Sequence, residues 1–509
     1  MTTLEAVIEI GSTGIRLAIA EVNADGFWSF IDHSERSVPL GWDVFTSSQV
    51  SRNTILECLR ILDRFKEQIQ SWNIDDAHIS IFATSALRLA NNRDAVLDRI
   101  RIKTGFDVKI IDGLEENQLM YLAVLHALKN QMPRFVQYNS IILDIGGGST
   151  EIMLFDRGQM VAAHSFRLGT VIIEQYIKSM MGSLNDARRF LTEFITNTGG
   201  SLNNELNLAQ IQQFITIGPE AQIAAKAAGT VLNDTCSLVE RDAFCDFVDS
   251  IQTYSTEEVM AKFKISFAEA RSLGINLLTY KLFINLTAAK QILVVKASIR
   301  EGILTNKYTA PNTELQENFL SQVTASALNL CRKYRADIKH AEYVCDTALK
   351  FYDALQSEHG FKGKERLLLE IASLLHDVGS FIQNEHHEIH SQYIISNSEI
   401  FGLQKDEMNI VAAIARYHKG AKPNIADERF YALPPQDRIK VQKLAAILRI
   451  ADAFDRGHTQ RISKFSIDLS DDTMRLQLAA PTDTSLEKNA MAEKADLFEE
   501  IFGYKVVLE

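Results

Sequence analysis

The sequence predicts an α/β chain: two α/β domains in series, then a mostly helical domain and a small mixed α+β appendage. Three observations predict it. Short β-branched runs alternate with helical periodicity along the front, as α/β units do. The strand-then-glycine arrangement AVIEIGST, beginning at Ala6, returns as SIILDIGGG, beginning at Ser140. After YTAPNTE (308–314) the strand signals fade, and from about 320 to 457 the spacing is helical almost throughout.

AVIEI (6–10) reads as a strand running into Gly11-Ser12-Thr13, and IRLAIAEV (15–22) as the strand that returns. SRNTILECLRILDRFKEQIQSW (51–72) spaces its apolar residues for a helix. HISIFA (78–83) is a strand, and NNRDAVLDRIRIKTG (91–105) a helix that Gly105 ends. DVKII (107–111) is a strand, and a helix runs from about Glu115 to Leu128. The pattern restarts with SIILDIGGG; EIMLFDRGQMVAAHSFRLG reads as a hairpin and return strand, and ITIG (215–218) and QILVV (291–295) as later strands. The expected domains are 1–130, 131–305, 315–457 and an appendage at 458–509. In the appendage, KFSIDLSDDTMRLQLA (464–479) alternates like a hairpin, before a helix (485–501) and a strand (505–508).

A length of 509 residues accommodates about three domains of roughly 150 residues. Hydrophobic residues at 46% and charged residues at 23% exclude a wholly disordered, collagen-like or disulfide-framework chain. With 53 Lys and Arg against 65 Asp and Glu, the net charge is −12. That balance argues against broad nucleic-acid binding and requires any anion site to concentrate its positive groups locally. Five cysteines without a CxxC pair, no apolar run of 18 residues and no basic-then-apolar start give the expectation of a cytoplasmic chain without signal peptide or membrane span.

Two constellations carry chemistry. In DIGGGSTE (144–151), Gly146, Gly147 and Gly148 let backbone N–H groups turn inward around an oxyanion, and Ser149 and Thr150 add hydroxyl donors. Asp144 and Glu151 flank that turn, as a phosphate–metal site requires, since Mg²⁺ takes few protein carboxylates and completes itself with water and phosphate. The same residues would also make an ordinary tight turn between hairpin strands. Glu115 and Glu116 in GLEEN read by spacing as complements to a helix dipole, or as a base that activates water. Arg88 in ATSALR reads equally as a phosphate clamp or a surface arginine.

The second constellation lies in the helical region: His340, His376-Asp377, His386, His387, His390, His418 and Asp452. Imidazoles with carboxylates suit one or two divalent metals that generate hydroxide and clamp phosphate. His387 and His390, three apart, can share a helical face. A buried His–Asp network and a chance scatter of polar residues are the competing readings.

At this point the motifs EIGSTGIRLAIAEV, ATSALRLANNRDAV, IDGLEEN, LDIGGGSTEI, FRLGTV and IREGIL resemble the exopolyphosphatase and guanosine pentaphosphate phosphatase family, of the sugar kinase–Hsp70–actin (ribonuclease H-like) fold class. LLHDVGSFIQNEHHEIHSQYIISNSEIFGL, IARYHKG and AAILRIADAFDR resemble that family's helical extension, itself related to HD phosphohydrolases. The resemblance implies two actin-like domains followed by an HD-like domain. It implies Mg²⁺-dependent release of terminal phosphate from inorganic polyphosphate, or of the 5′-phosphate of guanosine pentaphosphate, with Mn²⁺ as a substitute metal. It places the base on Glu116, metal carboxylates on Glu9, Asp144 and Glu151, and the motif arginine on Arg88. The phosphate loops fall on Gly146, Gly147, Gly148 and Ser149, faced by Gly11, Ser12 and Thr13. A homodimer is implied as well.

The departures are specific. Glu9 stands where the family usually has Asp, Asn117-Gln118 where it has Ala-Arg, and Gly218-Pro219-Glu220 where it has Gly-Gly-Thr. Lys296-Ala297-Ser298 replaces a glycine-rich turn. Conversely, the His376-Asp377 pair is whole, and with His340 and Asp452 it matches the HD ligand positions, implying a second metal site that extends to His387, His390 and His418. Two alternatives therefore stand beside the first reading: a front half that senses nucleotide or phosphate while the HD-like domain hydrolyses, and a non-catalytic regulator that binds guanosine tetra- or pentaphosphate.

Overall fold

β1 (Thr3–Ile10), β2 (Gly14–Val22), β3 (Trp28–Ser37), β4 (Ile79–Ala83) and β5 (Lys109–Ile110) pair in the order β3-β2-β1-β4-β5. The first three form an antiparallel meander, and β4 and β5 run parallel to β1. Ala6, Val7, Ile8 and Ile10 of β1 are all buried, as expected of a strand covered on both faces. The computed structural model describes residues 2–128, 132–179, 184–308, 314–470, 472–479 and 483–509. The expected boundary at 130 and the TAPNT of YTAPNTE lie outside these residues.

A second sheet contains β6 (Ser140–Ile145), β7 (Thr150–Asp156), β8 (Gln159–Phe166), β9 (Gln213–Ile217), β10 (Thr230–Val231), β11 (Cys236–Glu240) and β12 (Gln291–Val295), in the order β10-β11-β12-β9-β6-β7-β8. The run β8-β7-β6-β9-β12 repeats the order and the strand directions of the first sheet. The repeat in sequence is thus a repeat in topology. Arg157 (φ 47°) and Gly158 (φ 80°) join β7 to β8 in a two-residue turn whose positive φ angles match the strand twist. Both sheets belong to one compact unit, Met1–Ser321. Within it the helices Gly113–Leu128 and Ile299–Tyr308 pack so closely that a Cβ on Gly302 would lie 2.0 Å from the carbonyl oxygen of Leu119. Glu5 is fully buried and is held by His78 Nδ1 (2.7 Å), Lys307 Nζ (2.7 Å) and the Tyr308 hydroxyl.

The other unit, Gln322–Glu509, is helical apart from one small sheet. Helices Ile338–Ala354, Glu365–Leu375, His387–Ser396, Lys405–Arg416 and Pro435–Ala453 pack around a core that includes Phe351, Leu375, Val411, Leu444 and Ile447. β13 (Phe465–Ser470) and β14 (Thr473–Leu478) are antiparallel, and β15 (Lys505–Leu508) adds parallel to β14. Among the described residues no helix is long and apolar enough to cross a membrane.

Three differences from expectation stand out. β3 alternates half-buried and exposed residues at a sheet edge, so its polar WSFIDHSERS carries little strand signal. β5 pairs over two residues rather than across 107–111. The helix expected at 485–501 breaks at Ala495 into Ser485–Lys494 and Asp496–Phe502.

Candidate functional site

In the front unit both glycine turns are hairpin turns closed in the same way: Gly11 N donates to Gly14 O and Gly146 N to Ser149 O, each at 2.9 Å. The turns face each other. A Cβ on Gly147 would stand 2.8 Å from Ser12 Cβ, and one on Gly148 2.5 Å from Ser85 Oγ. Ser12 and Ser85 hydroxyls are 3.1 Å apart. Gly169 packs beneath the triglycine turn, and Val171 N, at the start of helix Thr170–Ser179, donates to Gly147 O at 2.9 Å. Such packing crowds out a side chain at Gly147, Gly148 and Gly169.

Around the turns stand the carboxylates. Glu116, 9% exposed, lies in the first turn of Gly113–Leu128. Arg88 Nη1 donates to Glu116 Oε2 at 3.1 Å and to Ile111 O at 2.7 Å. Glu151 accepts from Ser165 Oγ at 2.9 Å through Oε1, while its buried Oε2 has no partner among the described residues. Burial raises the Glu116 pKa against the pull of Arg88. Burial and the neighbouring Glu116 raise Glu151 well above the usual carboxylate range. Burial, Glu116, Glu220 and Glu9 bring Asp144 to about 7. A cation among them would relieve both the orphaned oxygen and the mutual repulsion, so the set fits Mg²⁺. Glu9 is already engaged, 3.3 Å from Arg16 Nη1 and 3.4 Å from Arg300 Nε. Glu220, from the altered Gly-Pro-Glu loop, accepts from Asn276 Nδ2 at 2.9 Å, and burial raises its pKa. Pro219 begins helix Pro219–Ala228, where its missing N–H costs nothing.

The helical unit gathers a second site from helix ends. His340 lies in the first turn of Ile338–Ala354, and His376-Asp377 follow Glu365–Leu375. His387 opens His387–Ser396, His418 follows Lys405–Arg416, and Asp452 is in the last turn of Pro435–Ala453. Gly379 admits this packing, since a Cβ there would lie 2.1 Å from His387 O.

Each of these four imidazoles turns Nδ1 to an oxygen: His340 to Asp455 (2.9 Å), His376 to Ser373 O (2.7 Å), His387 to Asn384 O (2.9 Å) and His418 to Ala415 O (2.7 Å). These bonds direct each Nε2 inward. The Nε2 atoms converge: those of His340 and His376 are 3.3 Å apart, and those of His387 and His418 3.2 Å. Asp377 lies between the pairs, with Oδ1 2.9 Å from His387 Nε2, 3.5 Å from His376 and 3.6 Å from His418. His340, His376 and Asp452 form one group with metal-ligand spacing, and His376, Asp377 and His418 another. Burial lowers the pKa of His376 and, with His376 beside it, takes His418 well below the histidine range, so both favour the neutral form a metal needs. Burial opposes but Asp452, Asp455 and Asp377 raise His340 to about 9.

His390, expected to share a face with His387, belongs to neither group, nor does the exposed His386. Sequence reasoning missed three residues here. Asp455 is fully buried and also accepts from Thr459 N and Gln460 N; its position three residues after Asp452 was the available signal. His458 stacks on His340 at 3.7 Å. Lys494 pairs with Asp452 Oδ2.

The duplicated sheets with facing glycine turns and clustered carboxylates define an actin-like α/β phosphohydrolase. The comparisons with known proteins agree. Residues 18–307 match the model of the Ppx/GppA phosphatase family, and residues 323–500 match Ppx/GppA phosphatase, domain III. The chain belongs to the Ppx/GppA phosphatase family and is a hydrolase. It is 23% identical over 498 residues to the guanosine-5'-triphosphate,3'-diphosphate pyrophosphatase of Photobacterium profundum, covering 94% of this chain and 92% of that one. The protein of the same name from Pseudoalteromonas translucida is 24% identical, with coverages of 93% and 91%. Among solved structures, an exopolyphosphatase from Cytophaga hutchinsonii superposes with a TM-score of 0.54 at 20% identity, over 60% of this chain and 98% of that one. The Aquifex aeolicus Ppx/GppA family member does so with a TM-score of 0.50 at 20% identity, over 62% and 100%. These two likenesses bear on the fold. The helical part matches the family's own domain III; no comparison identifies it as an HD domain.

Proposed function

We propose that the front cleft hydrolyses the terminal phosphate of an anionic phosphoanhydride chain, with Glu116 as general base. The carrying observation is Glu116: buried, its pKa raised by that burial, gripped by Arg88, and beside Asp144 and Glu151 on the triglycine turn. A base of that kind is suited to take a proton from water as its oxygen attacks phosphorus and the bridging P–O bond breaks. The turn's glycines, with Ser149 and the facing Ser12 and Thr13, cradle the phosphate oxygens. Asp144 and Glu151 would hold Mg²⁺, which neutralises phosphate charge when bound. The relatives' names favour the 5′-phosphate of guanosine pentaphosphate over long-chain polyphosphate. Phosphate release from each, with and without EDTA, tests the reading: full activity in excess chelator would refute it. A homodimer belongs to the same proposal and is read by light scattering.

A second reading concerns the helical unit, favoured by its converging Nε2 atoms and carboxylates: a divalent-metal centre that hydrolyses phosphoesters independently of the cleft. Nε2 atoms facing each other at 3.2–3.3 Å beside Asp377 and Asp452 have the spacing of ligands that share an ion. His340, His376, Asp377 and Asp452 would hold one ion, and Asp377, His387 and His418 a second, supplying a hydroxide nucleophile. Metal content after Mn²⁺ loading, compared between wild type and Asp377→Asn, tests it.

A further inference from the structure

At the helical unit's centre, the buried ammonium of Lys494 has no assigned part. Lys494 ends helix Ser485–Lys494 and is 6% exposed. Its ammonium pairs with Asp452 Oδ2, the carboxylate oxygen other than the Oδ1 that faces His340 at 3.5 Å and His376 at 3.9 Å. The ammonium therefore stands at the wall of the His–Asp cluster, against Asp452.

Its place is fixed by the surrounding chain. Lys494 O accepts from Arg449 Nε at 3.1 Å, and Arg449, 3% exposed, is tied to Asp496 at 2.9 Å and to Tyr417 O at 3.3 Å. Seven residues earlier on the same face, Glu487 is 1% exposed, and its Oε2 has no partner among the described residues. The helix thus carries two buried charged side chains seven residues apart, Lys494 among them against the centre.

We propose that Lys494 is a substrate-anchoring residue of the helical unit's centre, giving it a preference for dianionic phosphate ends: phosphomonoesters and terminal phosphates over phosphodiesters. This rests on the second reading above. A metal that takes Asp452 through Oδ1 reduces the negative charge available to the ammonium, which then serves a phosphoryl oxygen as a hydrogen-bond donor. A fixed positive charge at that wall attracts a dianion more than a monoanion. The ordinary alternative is a structural ion pair.

The test uses the full chain with Glu116→Gln to silence the front cleft, loaded with Mn²⁺. Metal content is measured by mass spectrometry, and hydrolysis with p-nitrophenyl phosphate and bis(p-nitrophenyl) phosphate, with the Asp377→Asn chain subtracted as background. With Lys494→Met added, metal content stays at the parent's value and kcat/KM for the monoester falls about tenfold, chiefly through KM. The diester loses less than about threefold, and Lys494→Arg recovers most of the monoester loss. Equal losses on both esters, or none, overturn the anchoring role while leaving the centre standing. Loss of metal from Lys494→Met together with unchanged ester preference in Lys494→Arg would overturn it in favour of a residue that only holds Asp452. A parent chain that takes up no Mn²⁺ removes the second reading and this proposal together.

Discussion

A single guanidinium nitrogen of Arg88, Nη1, binds both the carbonyl of Ile111 at 2.7 Å and the carboxylate of Glu116 at 3.1 Å. The arginine is thereby fixed to the backbone just ahead of the helix that carries Glu116, and its charge opposes the upward effect of burial on that carboxyl. Arg88→Met removes this opposition, so the Glu116 pKa rises further. A base must be ionised to act, so the acid limb of the kcat/KM profile moves to higher pH. An unmoved limb in a folded variant would separate Arg88 from Glu116.

Glu116→Gln keeps an acceptor for Arg88 but cannot take a proton. The expected result is a fall in kcat of about 10²–10⁴ with KM nearly unchanged, measured on guanosine pentaphosphate. A large rise in KM with kcat intact would make Glu116 a binding residue instead.

Asp144 gives a prediction about stability. Its carboxyl titrates near 7 in the folded chain against an ordinary value of 3.8. Between those values the folded state holds a proton that the unfolded state has released, so stability falls as pH rises from about 4 to about 7. Asp144→Asn removes that loss. Its Tm should exceed wild type at pH 8, match it below pH 4, and exceed it by less when Mg²⁺ is added. Activity should be lost.

Gly169→Ala tests the cradle. A Cβ there would lie 2.4 Å from the carbonyl carbon and oxygen of Gly147 and from Gly148 N, so the turn must move. A displacement of about 1 Å at a reacting phosphate costs on the order of a hundredfold in rate. A fully active variant would show that the turn does not position the substrate.

In the helical unit, Asp377→Asn removes the carboxylate that lies between the imidazole pairs. Metal content should fall below half of the wild-type value, while EDTA-sensitive hydrolysis in the front cleft continues. Unchanged metal content would assign Asp377 to structure alone.

The local signals in the sequence were sufficient where burial and periodicity coincide. AVIEI and SIILDI are apolar on both faces and become central strands, and their glycine turns fall where the repeat placed them. β3 escaped because half-buried and exposed residues at a sheet edge lack that pattern, and β11 because only Cys236 and Val239 of its five residues are buried. In the helical site the ligands were visible as residue types, yet their pairing was not. His387 meets His418 across 31 residues, while His390, three positions from His387, stands outside both groups. Lys494 looked like any solvated lysine in KNAMAEK, since a partner 42 residues away leaves no local trace.

Glu5 sets where the front unit can be cut. Its buried carboxylate draws one cation and one hydroxyl from Lys307 and Tyr308, at the far end of that unit's chain, and an imidazole from His78. A fragment stopped at residue 305, where strand and helix spacing alone would place the border, discards two of those three partners. It leaves a nearly uncompensated anion inside the first strand, a change that costs about 3–5 kcal/mol for a buried ion pair. Trimming that keeps Tyr308 should leave the unit soluble and cooperative, whereas a cut that also removes Lys307 and Tyr308 should promote aggregation. The opening strand and the closing helix act as a latch, so the unit completes itself only after synthesis has passed residue 308.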